Sequence, residues 1–374
     1  MNTGQTFKKD AGGWAEINFF FADNSLLTPR VRITDGEIMD IAIDPGQAEF
    51  RLKNTLNDIY GLDALHFSRD AFPHLNLWFK YAEVLVVEKH LKQIVPESTE
   101  LLRIIIFEFL RIAEYVFCLA TFSLNAGLNR EFSGLLELYN SFRQFLKISG
   151  DTTVLEEFVT GTKGLTDLPI GFTERALIFL EQFKVKFLQQ STALLSNRII
   201  LDRCFSVCHY VSDQIAHLSG PNLRAVGVNL DRRRDFPYSL YQRLSFDRIQ
   251  PYNSSNDPGE CWHRLRIRCE EVFTSIGLIR QSIAQFVYQT SPINSPPGVR
   301  NFHKGHSSVS IETPWGNITC QLNCAGGKDI CEFTLTNPLH EILIYLRQTA
   351  VGLELTALPL HIASLGLRPK MEPL

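Results

Sequence analysis

From Trp262 to Phe286 the apolar residues Trp262, Leu265, Cys269, Val272, Ile276, Ile279, Ile283 and Phe286 recur at steps of three and four. An α-helix turns such a series onto one face, and a seam this long needs a large partner surface to cover it. The residues just before it fit a helix start. Asp257 can cap the first free amides, Pro258 suits the first helical position, and Glu260 can reach back to the cap. A second stretch, Pro96 to Asn125, is apolar on nearly every side and reads as the centre of a helical bundle, with Ser98 or Thr99 as its cap. Amphipathic patterns over 130–148 and 173–194 predict two more helices. Residues 47–95 read as one or two helices broken near Phe72-Pro73.

β-structure is expected on both sides of this bundle. Trp14, Ile17, Phe19–Phe21, Val31, Ile33 and the run Ile38 to Ile43 alternate as strands do, and Asp35-Gly36 between two such runs is a hairpin signal. Near the other end, Val309 to Phe333 reads as hairpins around Pro314-Trp315-Gly316 and Gly326-Gly327. The fold class is therefore α+β: a central long-helix bundle with a small N-terminal antiparallel sheet and a C-terminal β-hairpin region. The expected regions are 1–45, 46–290 and 291–374.

Composition narrows the function classes. The chain has 374 residues, 45% hydrophobic and 21% charged, which suits an ordinary globular protein with a large core. A net charge of −3 gives no reason to expect nucleic acid. The most apolar run, Leu101 to Asn125, is broken by Arg103, Glu108, Arg111 and Glu114, so no segment reads as a membrane span. The first residues, MNTGQTFKKDAGG, show no signal core. Any membrane association is expected to come through partners. The eight cysteines offer no CxxC pair. Cys204/Cys208 and Cys320/Cys324/Cys331 read as free thiols in a reducing compartment, and no metal site is expected. His303 and His306, in the Pro/Gly/Ser-rich loop 291–308, read as solvent-facing rather than as ligands. No strand–GxGxxG–helix arrangement exists for a dinucleotide.

The most informative stretch is LSGPNLRAVGVNLDRRRDFPYSLY (218–241), followed by DPGECWHRLRIRCEE (257–271). Gly220-Pro221 is a tight turn, and Asp231 to Arg234 is a run too charged for a core. Arg224 and Arg232–Arg234 have two readings: a contact with an acidic partner or cofactor, or a solvated, salt-bridged loop. With their spacing, these segments resemble the D-type subunit of respiratory complex I, whose family typically carries LTGPxLRASGVxxDLRxxxPYxxY and then GDxxxRxxxRxxE. The resemblance extends to AEVLVVEK (82–89), to EFLRIAEYVFCLATFSLNAGL (108–128), to the loop around Asp167-Leu168-Pro169, and to Ile311–Gly316 against VEAPxGE.

That resemblance implies a fold like the large subunit of nickel–iron hydrogenases. It also implies a place in the peripheral arm of a membrane complex, on the cytoplasmic face of the inner membrane or the matrix side in a mitochondrion. The implied partners are an iron–sulfur (B-type) subunit, a C-type subunit and membrane-arm subunits. The iron–sulfur cluster would belong to the partner, quinone would be the acceptor, and NADH would bind elsewhere in the complex. In the family a His, a Tyr and an Asp carry the quinone-site proton chemistry. The corresponding positions here are Ser25, Phe72 and Asn125, none of which titrates near neutrality. Asp44-Pro45-Gly46 falls where the family places an Arg near the partner's cluster, and Pro45 takes the Arg position. Asp44, Pro45, Gly46, Arg224 and Asp167 are the candidate interface or pocket residues. The hydrogenase activity itself needs two CxxC pairs, which this sequence lacks. Two functions remain: a complex I-type subunit with its quinone-reducing residues replaced, or a structural and coupling subunit that does not reduce quinone.

Overall fold

The structure, a computed structural model, describes residues 13–16, 29–43, 49–54, 75–148, 152–161, 163, 167–204, 212–246, 249, 260–286, 303–326 and 331–367. It opens with β1 (Trp14–Glu16), β2 (Arg30–Thr34) and β3 (Glu37–Ala42), an antiparallel sheet in that order. Asp35 and Gly36, at φ 51° and 89°, make the two-residue turn that the sequence predicts. Val31, Ile38 and Ile41 point into the core while Arg30, Arg32 and Met39 face solvent, the alternation of a half-buried sheet.

Next come β4 (Glu49–Asn54), α1 (Asn76–Leu91), α2 (Glu97–Asn125), α3 (Asn129–Ile148) and α4 (Thr152–Thr160). They are followed by α5 (Phe172–Leu195), α6 (Arg198–Cys204), the short α7 (Gly220–Ala225) and α8 (Arg232–Asp235), and the long α9 (Glu260–Ala284). The strands β5 (Gly305–Glu312), β6 (Asn317–Cys324) and β7 (Cys331–Thr336) then precede α10 (Pro338–Thr349) and α11 (Leu358–Ser364). The α+β class holds: mostly helix, with a small sheet near the N-terminus and hairpin-connected strands late in the chain.

Two expectations about these elements need correction. Residues 49–54 are a strand, not part of a helix: β4 joins the late strands in a four-stranded antiparallel sheet of order β4-β7-β6-β5, with Glu49 opposite Thr336. Phe50 and Leu52 alternating with charged residues is the period-two signal, which the helical reading of 47–95 overrode. The start of α2 is also different. Pro96 is the N-cap, in extended conformation, and its carbonyl takes the amides of Thr99 and Glu100, so Ser98 and Thr99 lie inside the first turn. For α9, the expected cap at Asp257–Gly259 lies outside the described residues, and Glu260 accepts from Arg264 and Tyr345.

The long helices α2, α3, α5 and α9 form the bundle, with α2 at its centre and α9 and α3 packed along it. Leu265, Cys269, Val272, Ile276 and Ile279 of the predicted seam are buried there. Phenylalanines fill the space between α2, α3 and α5. Phe142 is fully covered, with ring centroids 4.4 Å from Phe183, 4.9 Å from Phe179 and 5.7 Å from Phe109. α1, tied to α2 through Glu88 and Arg103, packs against β5 and β6. One cysteine expectation is overturned: Cys324 and Cys331 form a disulfide. They stand directly opposite in the β6–β7 register, which a search for short linear spacings does not reveal. Cys118, Cys204, Cys261, Cys269 and Cys320 are free and buried.

If aromatic packing sets the bundle's stability, Phe142→Ala destabilises the fold by about 3–5 kcal/mol. Chemical denaturation followed by far-UV circular dichroism measures it.

Candidate functional site

In the charged run 231–234, Asp231 and Arg233 are buried, while Arg232 and Arg234 are half-buried. Asp231 caps α8 by accepting from the Arg233 amide, and Arg233 turns inward to become completely buried. Its guanidinium grips Asp231 with two bonds, 3.1 and 2.8 Å, and reaches Glu108 of α2 at 3.0 Å. Glu108, also fully buried, takes further bonds from Tyr241 and from Ser275 of α9, each at 2.6 Å.

Arg224 of α7 makes the second junction. It donates to Glu271 of α9 at 2.6 Å, to Glu312 of β5 at 2.7 Å and to the Leu230 carbonyl at 2.8 Å. Tyr115 of α2 donates to the other oxygen of Glu271, and the Arg232 amide to the other oxygen of Glu312 at 2.8 Å. Arg111 completes the set, beside Glu108 at 3.4 Å, over the Trp78 ring, and donating to the Glu312 carbonyl at 2.6 Å. Glu108, Asp231, Glu271 and Glu312 thus face Arg111, Arg224 and Arg233 without solvent. Such a cluster is tolerated because nearly all of its lone pairs and protons are matched by geometry, the Arg111 Nε proton excepted among the described residues.

The charge states follow. Burial alone would raise the Glu108 carboxyl, but Arg233 and Arg111 with the Ser275 and Tyr241 hydroxyls hold it below its ordinary value. Burial opposes ionisation of Asp231 too, and Arg233 and Arg224 overcome it. Tyr115, Tyr238 and Tyr241 are pushed up, by burial first and then by neighbouring charges, and stay protonated as donors. The network fixes charge and orientation; it contains no group poised to exchange a proton at neutral pH. A satellite extends it along α9. Arg264 links Glu260, Ser364 and His361, and His361, held neutral by burial and by Arg264, contacts Thr349 at 2.7 Å.

A narrow cleft borders this core, lined by Tyr115, Cys118 and Thr121 of α2, Arg268 of α9, and Trp315 in the β5–β6 turn. Asn125 is one turn beyond Thr121 at the end of α2. It is half-buried, and its amide donates to the Thr121 carbonyl at 2.8 Å. Arg224 is central to the network, not on an exposed loop, so the solvated reading of that residue fails. Arg233 fails it likewise. Asp167 is exposed at the turn before α5. Ser25, Phe72, Asp44, Pro45 and Gly46 lie outside the described residues. His306 pairs with Asn323 at 2.7 Å on the exposed sheet face, and the His303 carbonyl contacts the His90 ring. Among the described residues no group of three His, Cys, Asp or Glu is arranged to hold a metal.

Sequence reasoning missed Glu108, Glu271 and Glu312 as the acids of the site. The available signal was spacing: Arg264, Arg268, Glu271 and Ser275 fall on one face of α9, and Glu108, Arg111 and Tyr115 on one face of α2.

Comparison with known proteins points in one direction. The family model described as the 49 kDa subunit of respiratory-chain NADH dehydrogenase matches residues 155–301. The chain is similar to the D subunit of NADH-quinone oxidoreductase from Bacillus anthracis, 30% identical over 244 residues, and to that from a Bacillus cereus strain, 31% over 244 residues. The D 1 subunit of the same enzyme from Cytophaga hutchinsonii is 24% identical over 249 residues. Each match covers 63% of this chain, and the chain spans 63% of the length of the two Bacillus relatives and 62% of the Cytophaga one.

Two outcomes test the network. Arg224→Ala costs about 3–5 kcal/mol by stranding Glu271 and Glu312, and Arg224→Lys does not restore it, because a single ammonium cannot span both acids. Glu108 and Asp231 are held below their ordinary values of 4.5 and 3.8, so their stabilisation is full above those values and lost as pH falls below them. Asp231→Asn should therefore be less stable at neutral pH yet lose less on acidification, as read by urea denaturation from neutral pH to about pH 3.

Proposed function

We propose that this chain, a divergent relative of the D-type (49 kDa) subunits of complex I, is a peripheral-arm subunit of a complex I-like membrane assembly. It packs against an iron–sulfur (B-type) subunit at the quinone-site interface, with C-type and membrane-arm subunits as further partners. The cluster is the partner's, and this chain binds no cofactor of its own. It sits on the cytoplasmic face of the membrane, or the matrix side in a mitochondrion, and is held there by partners. Among the described residues no helix is long and apolar enough to cross a membrane.

One observation carries this reading. Every ion of the buried network comes from a segment that resembles the family: Glu108 and Arg111 from 108–128, Arg224, Asp231 and Arg233 from 218–241, Glu271 from 257–271, and Glu312 from 311–316. The resembling segments therefore meet in one buried frame, which supports reading it as the base of a partner surface.

The proton chemistry is a separate matter. With Ser25, Phe72 and Asn125 in place of the family's His, Tyr and Asp, the chain offers no acid–base group at those positions. Asn125 favours the second reading, a structural and coupling subunit that does not reduce quinone, because its amide is used within its own helix.

Affinity purification of the tagged chain from gently solubilised native membranes tests both parts. Iron–sulfur and membrane subunits of complex I type should co-purify, without inhibitor-sensitive quinone reduction at this chain's interface. Absence of those partners would sink the assembly; strong activity would sink the loss of proton chemistry.

A further inference from the structure

On α1, Asn76, Lys80 and Glu83 occupy positions i, i+4 and i+7, one face of the helix, and all three side chains are buried. Glu83 is 1% exposed, and among the described residues neither of its carboxylate oxygens has a hydrogen-bond donor. The Lys80 ammonium lies 4.0 Å away, beyond hydrogen-bond length. Asn76 also carries an unmatched carbonyl oxygen. This contrasts with Glu88 on the same helix, which Arg103 grips at 2.7 and 3.0 Å. An ionised carboxylate left without donors is costly in a dry seam, whereas the neutral acid is tolerated.

We propose that Glu83 is a proton-sensitive fastener between α1 and the four-stranded sheet: protonated, it lets the seam close, and ionised, it loosens it. Among the described residues, the charged and titratable surroundings are few. Lys80 is on its own helix, and from β6 the buried Cys320 senses its charge. β5 meets the far end of α1, where Lys89 and His90 bond Ser308 and Ser307. α4 brings Glu156 and Glu157, the latter paired with Lys163, and α2 brings Arg103, already paired with Glu88. Burial pushes the Glu83 acid up to about 7, with Lys80 opposing, against an ordinary 4.5.

The sign follows from that shift. The closed seam holds the proton more tightly than an opened one, so the stabilisation is full below 4.5 and lost as pH rises to about 7, then levels off.

Hydrogen exchange of the full chain, corrected for the intrinsic pH dependence of amide exchange, reads this directly. Protection of α1 and β6 amides should fall up to about tenfold per pH unit between pH 5 and 7 and then flatten, while Glu83→Gln shows no such slope. Amides of β2 and β3 serve as the internal control. Equal slopes in the two proteins, or a flat wild-type profile, would overturn the proposal. Should the variant not fold, infrared spectroscopy of the wild type decides. A protonated carboxyl band titrating near neutrality supports it, and none at pH 6 defeats it.

Discussion

Glu108 is a fully buried carboxylate, and the core of this molecule is arranged to make that tolerable. Its two oxygens take Arg233, Tyr241 and Ser275, with Arg111 alongside. Those groups come from α2, the α8 region and α9, so satisfying one acid fixes three parts of the chain against each other. Glu271 and Glu312 repeat the arrangement through Arg224, drawing in α7 and β5. Hydrophobic burial in the Phe-rich bundle supplies most of the driving force but little direction, since apolar contacts tolerate sliding. The ions supply direction. Two glycines permit the close approach this needs: at Gly220, in left-handed conformation, an added Cβ would lie 3.2 Å from the Gly316 backbone.

What the sequence showed depended on which physical signal carried it. Long apolar periodicity disclosed α2, α3, α5 and α9 and the contact face of α9, and Asp35-Gly36 disclosed its hairpin, because both signals are local. Pairing across the chain was not disclosed: the β4–β7 register and the Cys324–Cys331 link depend on neighbours distant in sequence or on strand alignment. The site was half legible. Arg224 stood out, but Asp231 to Arg234 looked too polar to bury, since charge in a linear reading counts as hydration until its partner is found. Glu108, Glu271 and Glu312 are those partners, each on a different element.

The resemblance to the D-type family divides along the same physical line. The resembling segments converge on charges that hold elements together, and Ser25, Phe72 and Asn125 are the residues proposed to stand where the family performs acid–base work. A scaffold and a reaction are under different constraints. A buried ion pair loses several kcal/mol when one member is removed, whereas a solvent-accessible catalytic group can be exchanged with little effect on folding. Such a chain can therefore keep its shape while its chemistry changes.

The strand order β4-β7-β6-β5 also governs how the molecule comes into being. Glu49 pairs with Thr336, so β4 leaves the ribosome long before the strand it needs has been made. Through that interval its edge is unpaired, the condition in which chains aggregate or recruit chaperones. The bundle helices between them can form as they emerge, but the sheet under α1 closes only after β7 has been translated. That closure comes after every helix of the bundle has been made, and it fastens the start of the fold to its far side.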